Sequence, residues 1–172
     1  MLDELGWEHE VQDIPEAGLA VERSASPEEL DAIARTLDLL GCTSLVARYV
    51  LTPRGRGHVH LAGTLEAQVE QNCVVTLEPL LNGVSADFQV DYWPETELPG
   101  PSGGGVGIGG EADLEPIVAG RIEVGRVIFQ ALANAIDLFP RKPGVTFEPP
   151  SEVGDDRSES PFSALAKMKD KS

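Results

Sequence analysis

The sequence predicts an α+β domain. An antiparallel, curled β-sheet packs on a central amphipathic helix at about residues 124–138, with a second helix at about 27–40 and a flexible C-terminal tail. Three observations point there. Val124, Val127, Ile128, Ala131, Leu132 and Ala135 fall three and four apart, which makes one apolar helical stripe. Over residues 58–69 the period changes to two: Val59, Leu61, Leu65, Ala67 and Val69 alternate with His58, His60, Thr64, Glu66 and Gln68, as in a strand with one buried face. Further strand-like runs joined by short turns flank this one, which favours antiparallel pairing and a sheet polar on one side.

Taken in order, residues 1–40 hold eleven acidic side chains against Arg23 and Arg35, a local net charge of −9. Residues 11–14 and 18–21 suit short extended pieces. Ser26-Pro27-Glu28-Glu29 opens a helix: Ser26 caps, Pro27 fits the first position, and Glu29 completes a capping box. Leu30, Ile33, Ala34, Leu37 and Leu40 line its apolar face, and Gly41 is the expected stop. Residues 44–51 read as a strand, 53–57 as a turn and 58–69 as the strand returning from it. Residues 73–79 read as a further strand ended by Pro79, Leu81-Asn82-Gly83 as a turn, and 85–93 as a strand with Phe88, Val90 and Tyr92 on one face. From residue 94 the character changes. Prolines and the glycines between 100 and 110 predict a flexible loop over 94–112, irregular as far as Pro116.

The central helix follows, its outer side formed by Arg126, Gln130, Asn134 and Asp137. Pro140 lacks the N–H to continue it, so it stops by about Leu138. Residues 145–147 suit a short extended segment. The organisation is therefore one domain over 1–148, then an acidic, disordered linker and a short amphipathic basic helix within 149–172. In that last helix Ser160 and Pro161 form the start, Phe162, Leu165 and Met168 share a face, and Lys167, Lys169 and Lys171 sit at the end the helix dipole favours for cations.

Charge bounds the function. A chain of 172 residues with a formal net charge of −16 is repelled by phosphate backbones and anionic membranes and attracted to basic partners. Cys42 and Cys73 are too far apart in sequence to suggest a disulfide framework or a metal-ligand set, which fits a reducing compartment. The acidic N-terminal stretch has no apolar run behind it, and no run approaches the ~18 apolar residues of a membrane helix. The expectation is a cytoplasmic protein with no membrane association.

Five arrangements bear on chemistry. Gly105-Val-Gly107-Ile-Gly109-Gly110 has the letters of a dinucleotide fingerprint. However, Pro99 and Pro101 precede it, and Glu111, Asp113 and Glu115 follow where they would repel phosphate; a linker is the better reading, and no cofactor is expected. His58 and His60 share a strand face with Glu66, too few ligands for a metal site from one strand. Asp87 and Asp91 share a face about 13 Å apart, too far for a glycosidase pair. Cys73 needs a nearby histidine to act as a nucleophile, and the default is a buried thiol. Arg141 and Lys142 remain as basic groups, either complementing a helix C-terminus or contacting RNA or an acidic patch.

Several of these stretches, in order, resemble the YceD family of large ribosomal RNA subunit accumulation proteins, the alphaproteobacterial type most of all. They are Asn72-Cys73-Val-Val-Thr-Leu-Glu-Pro79, Asp113-Leu-Glu-Pro116, residues 120–125, Ile136-Asp137-Leu-Phe-Pro-Arg-Lys-Pro-Gly144 and Ser160-Pro-Phe-Ser-Ala-Leu-Ala-Lys167. The resemblance implies a non-enzymatic role in large-subunit ribosomal RNA accumulation. It also implies a partner that is a basic large-subunit ribosomal protein or a pre-ribosomal particle, with ribosomal RNA contacted indirectly. The positions carried over are Cys73, Glu78, Pro79, Pro140, Arg141, Pro143, Gly144, Pro161, Phe162 and Leu165. Many relatives have Cys-x-x-Cys where this chain has Glu70-Gln71-Asn72-Cys73, so a zinc role does not carry over. Arg126 and Gln130 stand where the family usually has acidic residues. The expected partner-binding set is Arg141, Lys142, Pro161, Phe162, Leu165, Lys167, Met168 and Lys169. The alternative is direct RNA binding through Arg141, Lys142 and the C-terminal lysines.

Overall fold

The structure is a computed structural model and describes residues 5–98 and 113–146. The described elements run β1 (Glu8–Glu10), β2 (Leu19–Ser24), α1 (Pro27–Thr36), β3 (Gly41–Arg54), β4 (His58–Asn72), β5 (Pro79–Pro94), β6 (Asp113–Ile117), β7 (Arg121–Glu123) and α2 (Val124–Ala135). One sheet has the order β2-β3-β4-β5-β6, and a separate ribbon pairs β1 with β7. This is the α+β class expected. The large sheet is open, with β2 and β6 as its edges. Strands β2 to β5 pair antiparallel, while β6 runs parallel to β5, so the sheet is mixed at one edge.

The alternation in the sequence becomes the inner face. Val59, Leu61, Leu65, Ala67 and Val69 of β4 are buried, as are Leu45, Ala47, Tyr49 and Leu51 of β3 and Phe88, Val90 and Tyr92 of β5. Register sets Gly63 between Tyr49 and Phe88, and a Cβ at Gly63 would overlap Arg48 backbone and Tyr49 Cβ. The Arg48 carbonyl and Tyr49 take the space that a side chain at 63 would fill.

Helix α2 packs on β5 and β4 through the predicted stripe: Val124, Val127, Ile128 and Leu132 are buried, while Arg126, Gln130, Asn134 and Asp137 are exposed. Helix α1 lies on β3 and opens with the predicted box: Ser26 N–H donates to Glu29 Oε2 at 2.8 Å, and Glu29 N–H donates to Ser26 Oγ at 3.3 Å. Glu29 has a second task, since its Oε1 accepts the indole N–H of buried Trp7 at 2.8 Å.

Several expectations are corrected. Helix α1 ends at Thr36 rather than near residue 40. Asp38 adopts φ 53° and Leu39 N–H reaches Ala34 carbonyl at 2.9 Å, a Schellman closure with aspartate where glycine is usual. Gly41 therefore begins β3, and Leu40 lies exposed instead of on the helix face. Helix α2 ends at Ala135, because Ile136 is extended. Residues 11–13 form a 3-10 turn rather than an extended piece. Residues 73–78 are a loop, not a strand, and Leu81-Asn82-Gly83 lies inside β5. Asp113–Ile117, expected to be irregular, is a strand. Val145 and Thr146 join no strand. Residues 99–112, which hold the Gly-rich motif, and 147–172, which hold the predicted tail helix, lie outside the described residues. Among the described residues no helix is long and apolar enough to cross a membrane.

Candidate functional site

The loop between β4 and β5 closes on itself. Leu77 N–H donates to Cys73 carbonyl and Cys73 N–H to Glu78 carbonyl, each at 2.9 Å. Thr76 N–H turns inward onto Cys73 Sγ at 3.5 Å. Leu77 takes φ 59° at the tip, a left-handed conformation unusual for leucine.

The chain leaving α2 lies across this loop. Gln71 Nε2 donates to Asp137 carbonyl at 2.9 Å, and Asp137 Oδ1 accepts Phe139 N–H at 2.9 Å. Val74 N–H donates to Pro140 carbonyl at 2.9 Å. Lys142 N–H donates to Cys73 Sγ at 3.5 Å, and Lys142 Nζ meets Glu78 Oε2 at 2.7 Å. Pro140, with no N–H to leave unpaired, is buried at the crossing. Thus two segments far apart in sequence, 72–79 and 136–144, form one unit around a sulfur atom.

This cradle sets the thiol's chemistry. The Thr76 hydroxyl and the N–H groups of Lys142 and Thr76 favour the thiolate and lower the Cys73 pKa to about 6. The thiol has no exposed surface, and the hydrogen bonds outweigh the opposing effect of burial. The same lysine lowers the pKa of Glu78. The three histidines bond elsewhere: His9 to the Tyr49 hydroxyl at 2.9 Å, His58 to Glu97 at 2.9 Å, and His60 to Asp91 at 2.6 Å. Cys73 thus has no imidazole base beside it. Cys42, also buried, has its pKa raised by burial.

The two segments of the cradle also expose apolar side chains. Leu77, Leu138 and Phe139 are between 69% and 77% exposed, and Val74 is exposed as well. Scattered exposed leucines are ordinary, but four large apolar side chains on two segments bonded to each other mark a candidate contact surface. A second feature is a shallow groove of about 370 Å³ between α2, β5 and β6. Its floor includes Phe88, Val127 and Ala131, and Asp87, Asp113, Glu115, Gln130 and Asn134 rim it.

Of the residues expected to bind a partner, Arg141 is exposed with no ion pair among the described residues, while Lys142 is held by Glu78. Pro161, Phe162, Leu165, Lys167, Met168 and Lys169 lie outside the described residues. His58 stacks on Trp93 with ring centroids 4.5 Å apart, and Glu66 is bonded to Arg48 at 3.1 Å, so the His58, His60 and Glu66 side chains do not converge. Asp91 is taken by His60. Among the described residues no three His, Cys, Asp or Glu side chains are grouped to hold a metal ion. Arg126, on the outer side of α2, pairs with Glu115 and Glu123. The sequence reading missed Leu77, Leu138 and Phe139. The signal available was that apolar residues stood next to Pro79 and Pro140, where regular structure ends.

Fold and site together define an α+β domain whose candidate site is a surface built on a sulfur-centred crossing. Comparison of the chain with protein-family models, curated proteins and solved structures finds no match.

Proposed function

We propose that the protein is a non-enzymatic assembly factor of the YceD type. It would support accumulation of large-subunit ribosomal RNA in the cytoplasm by binding a basic ribosomal protein, alone or in a pre-ribosomal particle. One observation carries the reading: of the stretches that resemble the family, 72–79 and 136–144 bond to each other, and both expose large apolar side chains. A net charge of −16 supports a cationic partner, steering it electrostatically while the apolar end supplies contact.

The test is a pull-down with the tagged protein at low and moderate salt, scoring ribosomal proteins and ribosomal RNA separately. Capture of a basic ribosomal protein without RNA is expected, and Leu77→Asp with Phe139→Asp should abolish it while the fold survives, since both side chains are exposed. Undiminished capture by that double variant, or capture of RNA alone, would reject the reading.

Arg141 favours a second reading, direct RNA binding, because it is the exposed arginine of the crossing and has no ion pair among the described residues. RNA affinity falling steeply with salt, with a slope flattened by Arg141→Ala and by Lys167, Lys169 and Lys171 to Ala, would support it. No RNA affinity at low salt removes it.

A further inference from the structure

We propose that the exposed apolar end of the sheet is the docking site of the chain's own C-terminal segment, residues 160–169, through Phe162, Leu165 and Met168. The ribosomal reading is not needed for this.

The path of the chain places the segment there. The last described stretch reaches this end of the molecule: Lys142 N–H rests on the Cys73 thiol, and Val145 N–H returns to Lys142 carbonyl at 3.3 Å. Twenty-six residues follow Thr146, and thirteen of them separate it from Ser160. Thirteen residues span at most about 45 Å. That reaches any point on the apolar end and corresponds to a local concentration on the order of millimolar.

The two surfaces also match. Val74, Leu77, Leu138 and Phe139 offer apolar area, and helical spacing gathers Phe162, Leu165 and Met168 on one face. Charge decides between this segment and a second copy of the whole chain. Two bodies of charge −16 repel each other. Residues 160–172 instead bring Lys167, Lys169 and Lys171 against Asp170 alone. Near the apolar end stand Glu78 and exposed Asp137. An external ligand of this surface would then have to displace the segment, which makes docking a means of regulating access.

The test uses the full chain carrying a photocrosslinker, Phe139→p-benzoylphenylalanine in one preparation and Leu77→p-benzoylphenylalanine in another, irradiated at high dilution and digested with trypsin. Cross-links within one chain to the tryptic peptide of residues 158–167 are expected from at least one position, and Leu165→Asp should lower their yield by about tenfold. Three results overturn the proposal: absence of that peptide from both positions; cross-links joining two chains, which identify a second copy as the occupant; and a yield unchanged by Leu165→Asp, which reduces the contact to chance encounters of a tethered segment.

Discussion

The main-chain N–H of Lys142 donates to the sulfur of Cys73 across 3.5 Å, closing a loop of 69 residues that includes β5, β6, β7 and α2. The contact fixes where the chain goes after α2, and with it the exposure of Leu138 and Phe139.

This contact makes stability depend on pH. The folded thiol has a pKa of about 6 against an ordinary 9.0, so the folded state releases its proton more readily than the unfolded chain. Its stabilisation is complete above pH 9, declines as pH falls toward 6 and vanishes below that. Urea midpoints of the wild type should therefore rise between pH 6 and 9 relative to those of Cys73→Ser. Taking the difference between the two proteins cancels groups that titrate alike in both.

The origin of the depressed pKa can be dissected. Its largest cause is the Thr76 hydroxyl, followed by the Lys142 N–H. Thr76→Val keeps the side-chain shape and removes the hydroxyl, so the Cys73 pKa should rise. Lys142→Met keeps the main-chain N–H and breaks only the ion pair with Glu78. That variant should leave the thiol near its present value while the Glu78 pKa returns upward. Ultraviolet thiolate absorbance against pH reads the first effect, and carboxyl NMR titration reads the second.

Gly125 sits in α2, where alanine would ordinarily stabilise the helix by up to about 1 kcal/mol. Here a Cβ would overlap the carbonyl of Leu5, and Gly125 N–H donates to Trp7 carbonyl at 3.0 Å. The clash is with backbone, so it outweighs propensity. Gly125→Ala should destabilise the fold by about 2 kcal/mol, seen as a lower urea midpoint with loss of Trp7 burial in fluorescence.

Where a pattern is set by burial over many residues, the sequence revealed it. The β4 alternation, the Ser26–Glu29 box and the α2 stripe as far as Leu132 stand where spacing placed them, while Ala135 at the helix end is exposed. Positions decided by a single distant contact were illegible. Val74 and Val75 have strand propensity, but the loop is fixed by Pro140, Lys142 and the Cys73 sulfur, none of which a local window sees. β6 likewise owes its extended form to parallel pairing with β5. Its Pro116 lacks a donor N–H, which a sheet edge tolerates, and it looked like a loop residue for that reason. Of the candidate site, Arg141, Lys142 and Cys73 were found by residue type. The apolar surface beside them was missed because strand and helix ends look buried until the chain is seen to turn.

Glu29 joins the start of α1 to the core through two oxygens: Oε2 accepts Ser26 N–H, while Oε1 accepts the indole N–H of Trp7. The two bonds can be separated. Ser26→Ala removes the cap oxygen that serves Glu29 N–H and should cost about 1 kcal/mol, leaving the indole bond in place. Glu29→Ala loses both bonds and leaves the Trp7 N–H inside the core without an acceptor, so the cost should reach about 2 kcal/mol or more. Trp7→Phe removes the donor while keeping an aromatic ring in the core. In a double-mutant cycle, Glu29→Ala and Trp7→Phe should show a coupling of about 1 kcal/mol, whereas Ser26→Ala and Trp7→Phe, which share no bond, should add within about 0.5 kcal/mol. Equal coupling in both pairs would mean that α1 moves as a unit against Trp7, rather than being pinned through this one carboxylate.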